Sequence, residues 1–155
     1  MEGQIQLLSM VWILKQFDEL TVHELYAILQ LRNEVFAIEQ NCVYPDLDNK
    51  DQGSYHLMGM EGDKLVAYTR LLPPGLAYPE PSIGRVVTSP LVRRNGTGRE
   101  LMKRSIEQVR ALFGTIPVKI GAQIYLHSFY SSFGFKQTSE VYLEDGIEHI
   151  EMLLS

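Results

Sequence analysis

Apolar residues along this chain change period several times, and each change marks an element. Residues 7–14 are almost continuously apolar, broken by Ser9, and predict a first strand. Thr21-Val22-His23-Glu24 has the form of a capping box, with Thr21 as N-cap and Glu24 reaching back. Apolar residues at Val22, Leu25, Tyr26, Leu29, Val35 and Phe36 follow close to helical spacing, so one helix, bent or split, covers 22–38. Residues 41–53 are polar, with Pro45, Asp46, Asp48, Asn49 and Asp51, and read as a loop. Two strands, 55–60 and 64–72, joined through Glu61-Gly62-Asp63, form a hairpin that Pro73-Pro74-Gly75 ends. Pro79 and Pro81 keep the next stretch irregular, and 82–88 is a strand carrying Ile83, Val86 and Val87.

A helix over 97–113 follows from Leu101, Ile106, Val109, Leu112 and Phe113, with Gly114 and Pro117 as its stop. A short strand over 118–122 and a short helix over 125–133, halted by Gly134, come next. The chain closes with a hairpin, 135–143 and 147–153, turning at Asp145-Gly146. The order β-α-β-β-β-α-β-α-β-β predicts a mixed α/β domain, one layer of sheet with helices on its faces. With no repeat and no low-complexity tract, residues 1–155 are expected to form a single domain.

Composition narrows the partners. A 45% apolar share can fill a core, and 14 Lys+Arg against 19 Asp+Glu leave a formal charge of -5, which disfavours nucleic acid. Against that acidic background Arg85, Arg93, Arg94, Arg99, Lys103 and Arg104 crowd one stretch, either a solvated helix face or a local anion site. The lone Cys42 excludes an internal disulfide, fits a cytoplasmic compartment, and reads as a small packed side chain ahead of a nucleophile. The 7–14 run falls far short of the ~20 residues of a membrane span, and Glu2 without an early Lys or Arg argues against a signal peptide. A soluble protein with no membrane partner is expected.

The chemistry concentrates between the 82–88 strand and the helix after it. Arg93-Arg94-Asn95-Gly96-Thr97-Gly98 precedes a helix whose first N–H groups have no internal partner and carry the positive end of its dipole. Such an end suits a phosphate or pyrophosphate. Gly96 and Gly98 let backbone approach an anion, and Arg93 and Arg94 add charged donors. Taken alone, a tight turn explains the two glycines nearly as well. Neither a Gly-x-x-x-x-Gly-Lys-Ser/Thr loop nor a third glycine for the dinucleotide fingerprint is present. Asp46-x-Asp48-x-x-Asp51 lacks the oxygen ligand and the Glu of a calcium loop, since Lys50 and Leu57 hold those positions. His23, His56, His127 and His149 show no zinc spacing, so no metal is expected, and there is no Gly-x-Ser-x-Gly elbow.

Arg93-x-x-Gly96-x-Gly98 after a strand resembles the signature of the GNAT N-acetyltransferase superfamily, and Tyr130-x-x-x-Gly134-Phe135 resembles its later Tyr-x-x-x-Gly-Phe segment. Leu31-Arg32-x-x-Val35-Phe36-x-x-Glu39-Gln40-x-Cys42-x-Tyr44 with Asp46-Leu47-Asp48-x-x-Asp51 is similar to the ElaA-type branch. So are Gly84-Arg85-Val86-Val87, Gly121-Ala122-Gln123 and Glu140-Val141-Tyr142-x-Glu144-Asp145-Gly146-Ile147-x-His149-Ile150. The resemblance covers residues 12–152.

It implies an acyl-CoA acyltransferase fold: a mixed α/β (α+β) sheet of about six to seven strands, splayed between the fourth and fifth and flanked by about four helices. It also implies acetyl-CoA as co-substrate, with backbone of Val86, Val87 and Thr88 pairing the pantetheine and the 93–98 loop with the Arg99 N–H holding the pyrophosphate. An amine then attacks the thioester directly. Tyr130 stands at the family's general-acid position. Gln123 replaces a common Asn, and Leu126 replaces a small Ala. Glu39 is the first candidate base, set against a surface role or a salt bridge with Arg32, and His56 and His127 are the others. Arg85 is open to an internal ion pair. The acceptor, a small-molecule or peptide amine, is not named by any motif, and a homodimer is common in the superfamily. A non-catalytic CoA-binding sensor and an adaptor with a vestigial fold are the competing readings.

Overall fold

The computed structural model describes residues 10–41 and 45–155. The start of the expected first strand, Cys42 and Tyr44 lie outside the described residues. Eight strands and three α-helices follow in order: β1 (Met10–Gln16), α1 (Val22–Arg32), β2 (Tyr55–Glu61), β3 (Lys64–Leu72), β4 (Ser82–Thr88), α2 (Thr97–Phe113), β5 (Val118–Gln123), α3 (His127–Ser131), β6 (Lys136–Gln137), β7 (Tyr142–Glu144) and β8 (Ile147–Leu154). Among the described residues no helix is long and apolar enough to cross a membrane.

Local signals are met closely at several points. Thr21 caps α1, its hydroxyl accepting from the Glu24 N–H (3.1 Å) while the Glu24 carboxylate accepts from the Thr21 N–H (2.8 Å). The helical spacing then outruns the α-helix. From Asn33 to Glu39 the backbone winds as a π-helix, with Gln40 N–H donating to the Val35 carbonyl five residues back (3.1 Å). This wider turn keeps Val35 and Phe36 buried and brings Glu39 and Gln40 to a cleft.

The expected single layer is in fact two antiparallel sheets, β1-β2-β3-β4 and β5-β8-β6, with β7 also on β8. Among the described residues, the Lys119 N–H donating to the Pro81 carbonyl (3.0 Å) joins the two backbones at the start of β4 and β5. Beyond that point β4 and β5 part, for a local reason. Tyr68 opposes Val87 but Arg70 opposes Gly84, so Arg85 and Val86 together face Thr69. This is a bulge, which bends a strand and raises its twist. Arg85 takes φ +49°, a left-handed conformation that costs an L-residue roughly 1–2 kcal/mol.

The expected 135–143 strand is also divided, into β6 and β7. Thr138 N–H donates to the Glu151 carbonyl (2.9 Å), and Ser139 Oγ accepts from the Glu151 N–H (2.8 Å). The serine side chain takes over a ladder bond and the strand breaks there.

Two helices cover opposite faces of the first sheet. Ile28, Leu31, Val35 and Phe36 pack on Met58, Leu65, Tyr68 and Val87. Across the sheet, α2 spans the seam: Met102, Ile106 and Val109 pack with Leu71 and Ile83 of the first sheet and with Ile120, Ile150 and Met152 of the second. Ser105 adds a buried hydroxyl pair with Thr69 of β3 (2.7 Å).

A charge network fastens the long loop after the π-turn. Arg32, at the end of α1, donates to Asp46 (2.9 Å) and Asp51 (2.7 Å). Arg70, on β3, donates to Asp48 (2.7 Å) and Asp51 (3.0 Å). Arg85 donates to Asp46 (2.8 Å). Arg32 and Arg70 are buried. Thus the Asp46-x-Asp48-x-x-Asp51 run is spent on guanidinium groups, Arg85 takes the ion-pair role, and Arg32 does not bond Glu39. Burial pushes the Asp48 and Asp51 carboxyls up, but the arginine hydrogen bonds and charges more than reverse this and hold both below the ordinary range.

Removing one partner of a buried pair strands the other charge. Asp51→Asn is therefore expected to cost about 3 kcal/mol, read as a fall in the urea midpoint, and a loss well under 1 kcal/mol would count against the network's structural role. Because the folded carboxyls lie below their unfolded values, their stabilisation is complete above roughly pH 4. It drains away as pH falls further toward the folded values. Urea midpoints measured down the acid limb are expected to drop, with a shallower drop in Asp51→Asn.

Candidate functional site

The gap between β4 and β5 opens into a cleft of about 730 Å³. It is lined on one side by Val86, Val87 and Thr88, on the other by Gly121, Ala122 and Gln123, and at its ends by Glu39, Gln40, Arg93, Gly98 and Tyr130. The register explains why β4 is available here. Val87 and Thr88 are paired with Tyr68 and Ala67 of β3, while no strand among the described residues pairs the opposite edge of β4.

The loop after β4 starts with Ser89, whose Oγ accepts from the Leu91 N–H (3.3 Å) and shapes a short turn that buries Val92. Arg94 then takes φ +72° and Gly96 φ +76°, reversing the chain into α2. Gly96 is the N-cap, and the first bond of the helix runs from the Glu100 N–H to its carbonyl (3.1 Å). The preceding N–H groups of Thr97, Gly98 and Arg99 carry the positive end of the helix. A Cβ built on Gly96 or Gly98 meets nothing within 4 Å, so space lies open before this end, and Gly98 borders the cleft. The residues fit a bound anion. Arg94 and Asn95 are exposed beside it.

Two arginines of this stretch are exposed but engaged with protein groups. Arg93 is ion-paired with Glu39, and its Nη2 donates to the Thr88 carbonyl (3.1 Å). The Arg99 guanidinium lies 4.7 Å from the Phe133 ring centre and donates to Ser132 Oγ (3.0 Å), tying α3 to the start of α2. Glu39, the first candidate base, is thus salt-bridged, and its partner is Arg93 where the sequence alternative had offered Arg32.

Tyr130 sits in α3 at 6% exposure, edge-on to Phe129 (5.2 Å) and Phe135 (5.9 Å). Those contacts fix the ring. Burial, and then the nearby Tyr125, push its hydroxyl above the ordinary tyrosine range, so it keeps its proton well past neutrality. Gln123 reaches across the cleft, its Nε2 donating to Gln40 Oε1 (3.3 Å). Leu126 also borders the space.

The histidines weighed as bases do not meet here. His56 is 1% exposed, its Nε2–H donating to the Asp51 carbonyl (2.9 Å) and its Nδ1 accepting from Tyr68 OH (2.6 Å). Burial foremost, aided by Arg32 and Arg70, holds its pKa down, so it is a neutral structural group. His127 lies 3.5 Å from Ser131 Oγ and lines a separate surface hollow with Gly134 and Lys136.

The structure adds residues to which the sequence reading assigned no site role; three of them, Glu144, Asp145 and His149, fall within the family-like tail. Tyr78, Glu144, Asp145 and His149 border the cleft on the side away from the glycine loop. Burial, then Tyr142, Glu151 and Glu144, push the Tyr78 hydroxyl up to about 12, so it stays a donor. The available signal was alternation in β8: His149 falls on the face opposite to the buried Ile150 and Met152.

Comparison with known proteins gives the same architecture. A model of the acetyltransferase (GNAT) domain matches residues 21–155. The chain is 44% identical to Protein ElaA of Escherichia coli over 137 residues, 87% of this chain and 90% of that protein. A crystal structure of E. coli ElaA superposes with TM-score 0.89 over 95% of this chain and 100% of that one. An acyl-CoA N-acyltransferase from Pseudomonas aeruginosa, 42% identical, reaches 0.91 over the same shares.

Proposed function

The chain belongs to the GNAT acetyltransferase family, and from that premise we propose that it is an acetyl-CoA-dependent N-acetyltransferase that moves acetyl directly to an amine, with Tyr130 as general acid. The observation that carries this reading is the Tyr130 hydroxyl. The ring is held by aromatic edges, burial pushes the hydroxyl pKa up, and Tyr130 lines the same cleft as Gly98 of the glycine loop. Acetyl-CoA supplies the acetyl group already activated as a thioester.

The open β4 edge at Val86, Val87 and Thr88 takes the pantetheine as a strand would, and backbone N–H groups there stabilise charge on the carbonyl oxygen, a donor of this kind contributing ~3 kcal/mol. Arg93, Arg94, Asn95, Gly96, Thr97 and Gly98, with the Arg99 N–H, hold the pyrophosphate. Gln123 contacts the pantetheine from β5. Glu39 orients Arg93. Tyr130 delivers a proton to the leaving sulfur. The acceptor is an amine, small or peptide-borne, and the setting is cytoplasmic, as the single cysteine suggests.

Two measurements test the reading. Tyr130→Phe is expected to lower kcat for free-thiol release with an amine panel by ~10²–10⁴-fold. It is expected to keep the stabilisation by acetyl-CoA, ~2.7 kcal/mol at a hundred times Kd. Wild-type protein that binds acetyl-CoA and releases no thiol with any amine would instead make the chain a non-catalytic CoA-binding module. Gly96→Asp puts a Cβ at φ +76° and a negative charge before α2, and is expected to abolish the acetyl-CoA thermal shift. Unchanged affinity would move the pyrophosphate away from this loop.

A further inference from the structure

An acceptor amine arrives as an ammonium ion and must lose a proton before it can attack. The groups that sequence favours for this task are engaged elsewhere. Glu39 is paired with Arg93, both ring nitrogens of His56 are bonded in the interior, and His127 lies outside the cleft. One imidazole does border the cleft, and it belongs to the last strand.

His149 pairs in register with Gln123 at the end of β5. Its neighbour Ile150 and that residue's partner Ala122 point the other way, into the cluster that holds Tyr130. The cleft is lined by residues of both faces, so Tyr130 and His149 flank the gap from opposite sides of the sheet. A donor group threaded between β4 and β5 would therefore meet a proton source on one side and a proton acceptor on the other.

The imidazole is oriented for that second role. Its Nδ1 lies 2.7 Å from the Ile147 carbonyl, which only accepts, so Nδ1 carries the hydrogen and Nε2 is the nitrogen left to take a proton. Tyr142 stacks on it at 5.9 Å and 26°. Its side chain is 11% exposed. Nε2 stands 3.5 Å from a Glu144 carboxylate oxygen. Other ionisable groups bordering the cleft or near this side include Asp145 in the turn, Glu151 on the same face of β8 with its partner Lys119 of β5 (3.1 Å), Tyr78, Tyr125 and Lys50. The hydroxyls of Tyr78 and Tyr142 converge on Gly121, where an added Cβ would meet them at 3.0 and 3.1 Å. Lys119 Nζ lies over the Tyr78 ring (5.2 Å) and pairs with Glu151, and the exposed Glu144 carboxylate near Tyr142 suits a cation.

We propose that His149 is the general base for the acceptor, and that the acceptor is a primary amine entering as a cation along the Tyr78–Tyr142–Glu144 wall. The proposal rests on the acetyltransferase reading above. The ammonium proton passes to Nε2, and the nitrogen lone pair forms the C–N bond. The C–S bond breaks, and the departing sulfur takes the Tyr130 proton. The acylated nitrogen sheds its second proton to solvent, which restores one to Tyr130 and takes the proton from His149, so one proton is released per turnover.

The test compares wild type with His149→Gln and His149→Asn, the latter placing an amide where it can still donate to the Ile147 carbonyl. Thiol release is measured with spermidine, glucosamine and a lysine-containing peptide at about pH 7 and about pH 10, since alkylamines shed the proton unaided near ~10. With the amine that wild type uses best, both variants are expected to lose ~10²–10⁴-fold in kcat/KM at neutral pH and to recover at least about tenfold of this at the higher pH. Their melting temperature and acetyl-CoA thermal shift are expected to match wild type. A loss of equal size at both pH values, or no loss, overturns the assignment of His149 while leaving the acetyltransferase reading intact. Wild type inactive on every amine overturns both.

Discussion

Three guanidinium groups, from Arg32, Arg70 and Arg85, meet three carboxylates, from Asp46, Asp48 and Asp51, in a network of which Arg70, Arg85 and Asp48 border the cleft. The arginines come from a helix end, a central strand and a bulged strand, whereas the aspartates come from one loop. Isolated buried charges are expensive, and they persist only where partners and geometry are right. The network therefore admits few arrangements of α1, β3 and β4. It also holds Arg85 in its left-handed conformation, because Arg85 donates both to the Asp46 carboxylate and to the Asp46 carbonyl (2.9 Å).

That conformation is the source of the gap. The bulge at Arg85 and Val86 bends β4 from its neighbour, and the two sheets stay joined at Lys119 and Pro81 while separating toward Thr88. A parting of strands would ordinarily expose core. Here α2 bridges it, with Met102, Ile106 and Val109 touching apolar side chains of both sheets. The fold thus keeps one continuous packed layer beneath an interrupted sheet. Unpaired β4 backbone, a helix N-terminus and a buried phenol all reach the same space as a consequence.

The two ends of the cleft differ in character. Around Gly96 and Gly98 it offers backbone N–H groups, the positive end of α2 and open volume. Around His149 it offers aromatic hydroxyls and carboxylates. An anionic donor and a cationic acceptor would be sorted to opposite ends by charge alone, with the β4–β5 gap between them.

Much of this was legible in the chain itself. The Thr21–Glu24 cap, the 64–72 and 82–88 strands, the 97–113 helix and the glycine loop before it follow from periodicity and from turn and cap chemistry, because those signals act within a few residues. Other features turn on partners far along the chain. Asp46, Asp48 and Asp51 look like any polar turn until Arg32, Arg70 and Arg85 are brought to them across separations of 14 to 39 residues. Glu39 was read as a candidate base, with a salt bridge to Arg32 as one alternative, but a π-turn carries it to Arg93, and no spacing rule announces a π-turn. The break at Ser139 depends on the Glu151 N–H being opposite, and His149 acquires its orientation from Ile147 and Tyr142 only once β7 and β8 pair. Local sequence determined the elements and the anion-binding turn. Tertiary structure decided where the sheet opens and which charges are free to act there, since charge pairing and strand register are settled by residues that meet only in the folded chain.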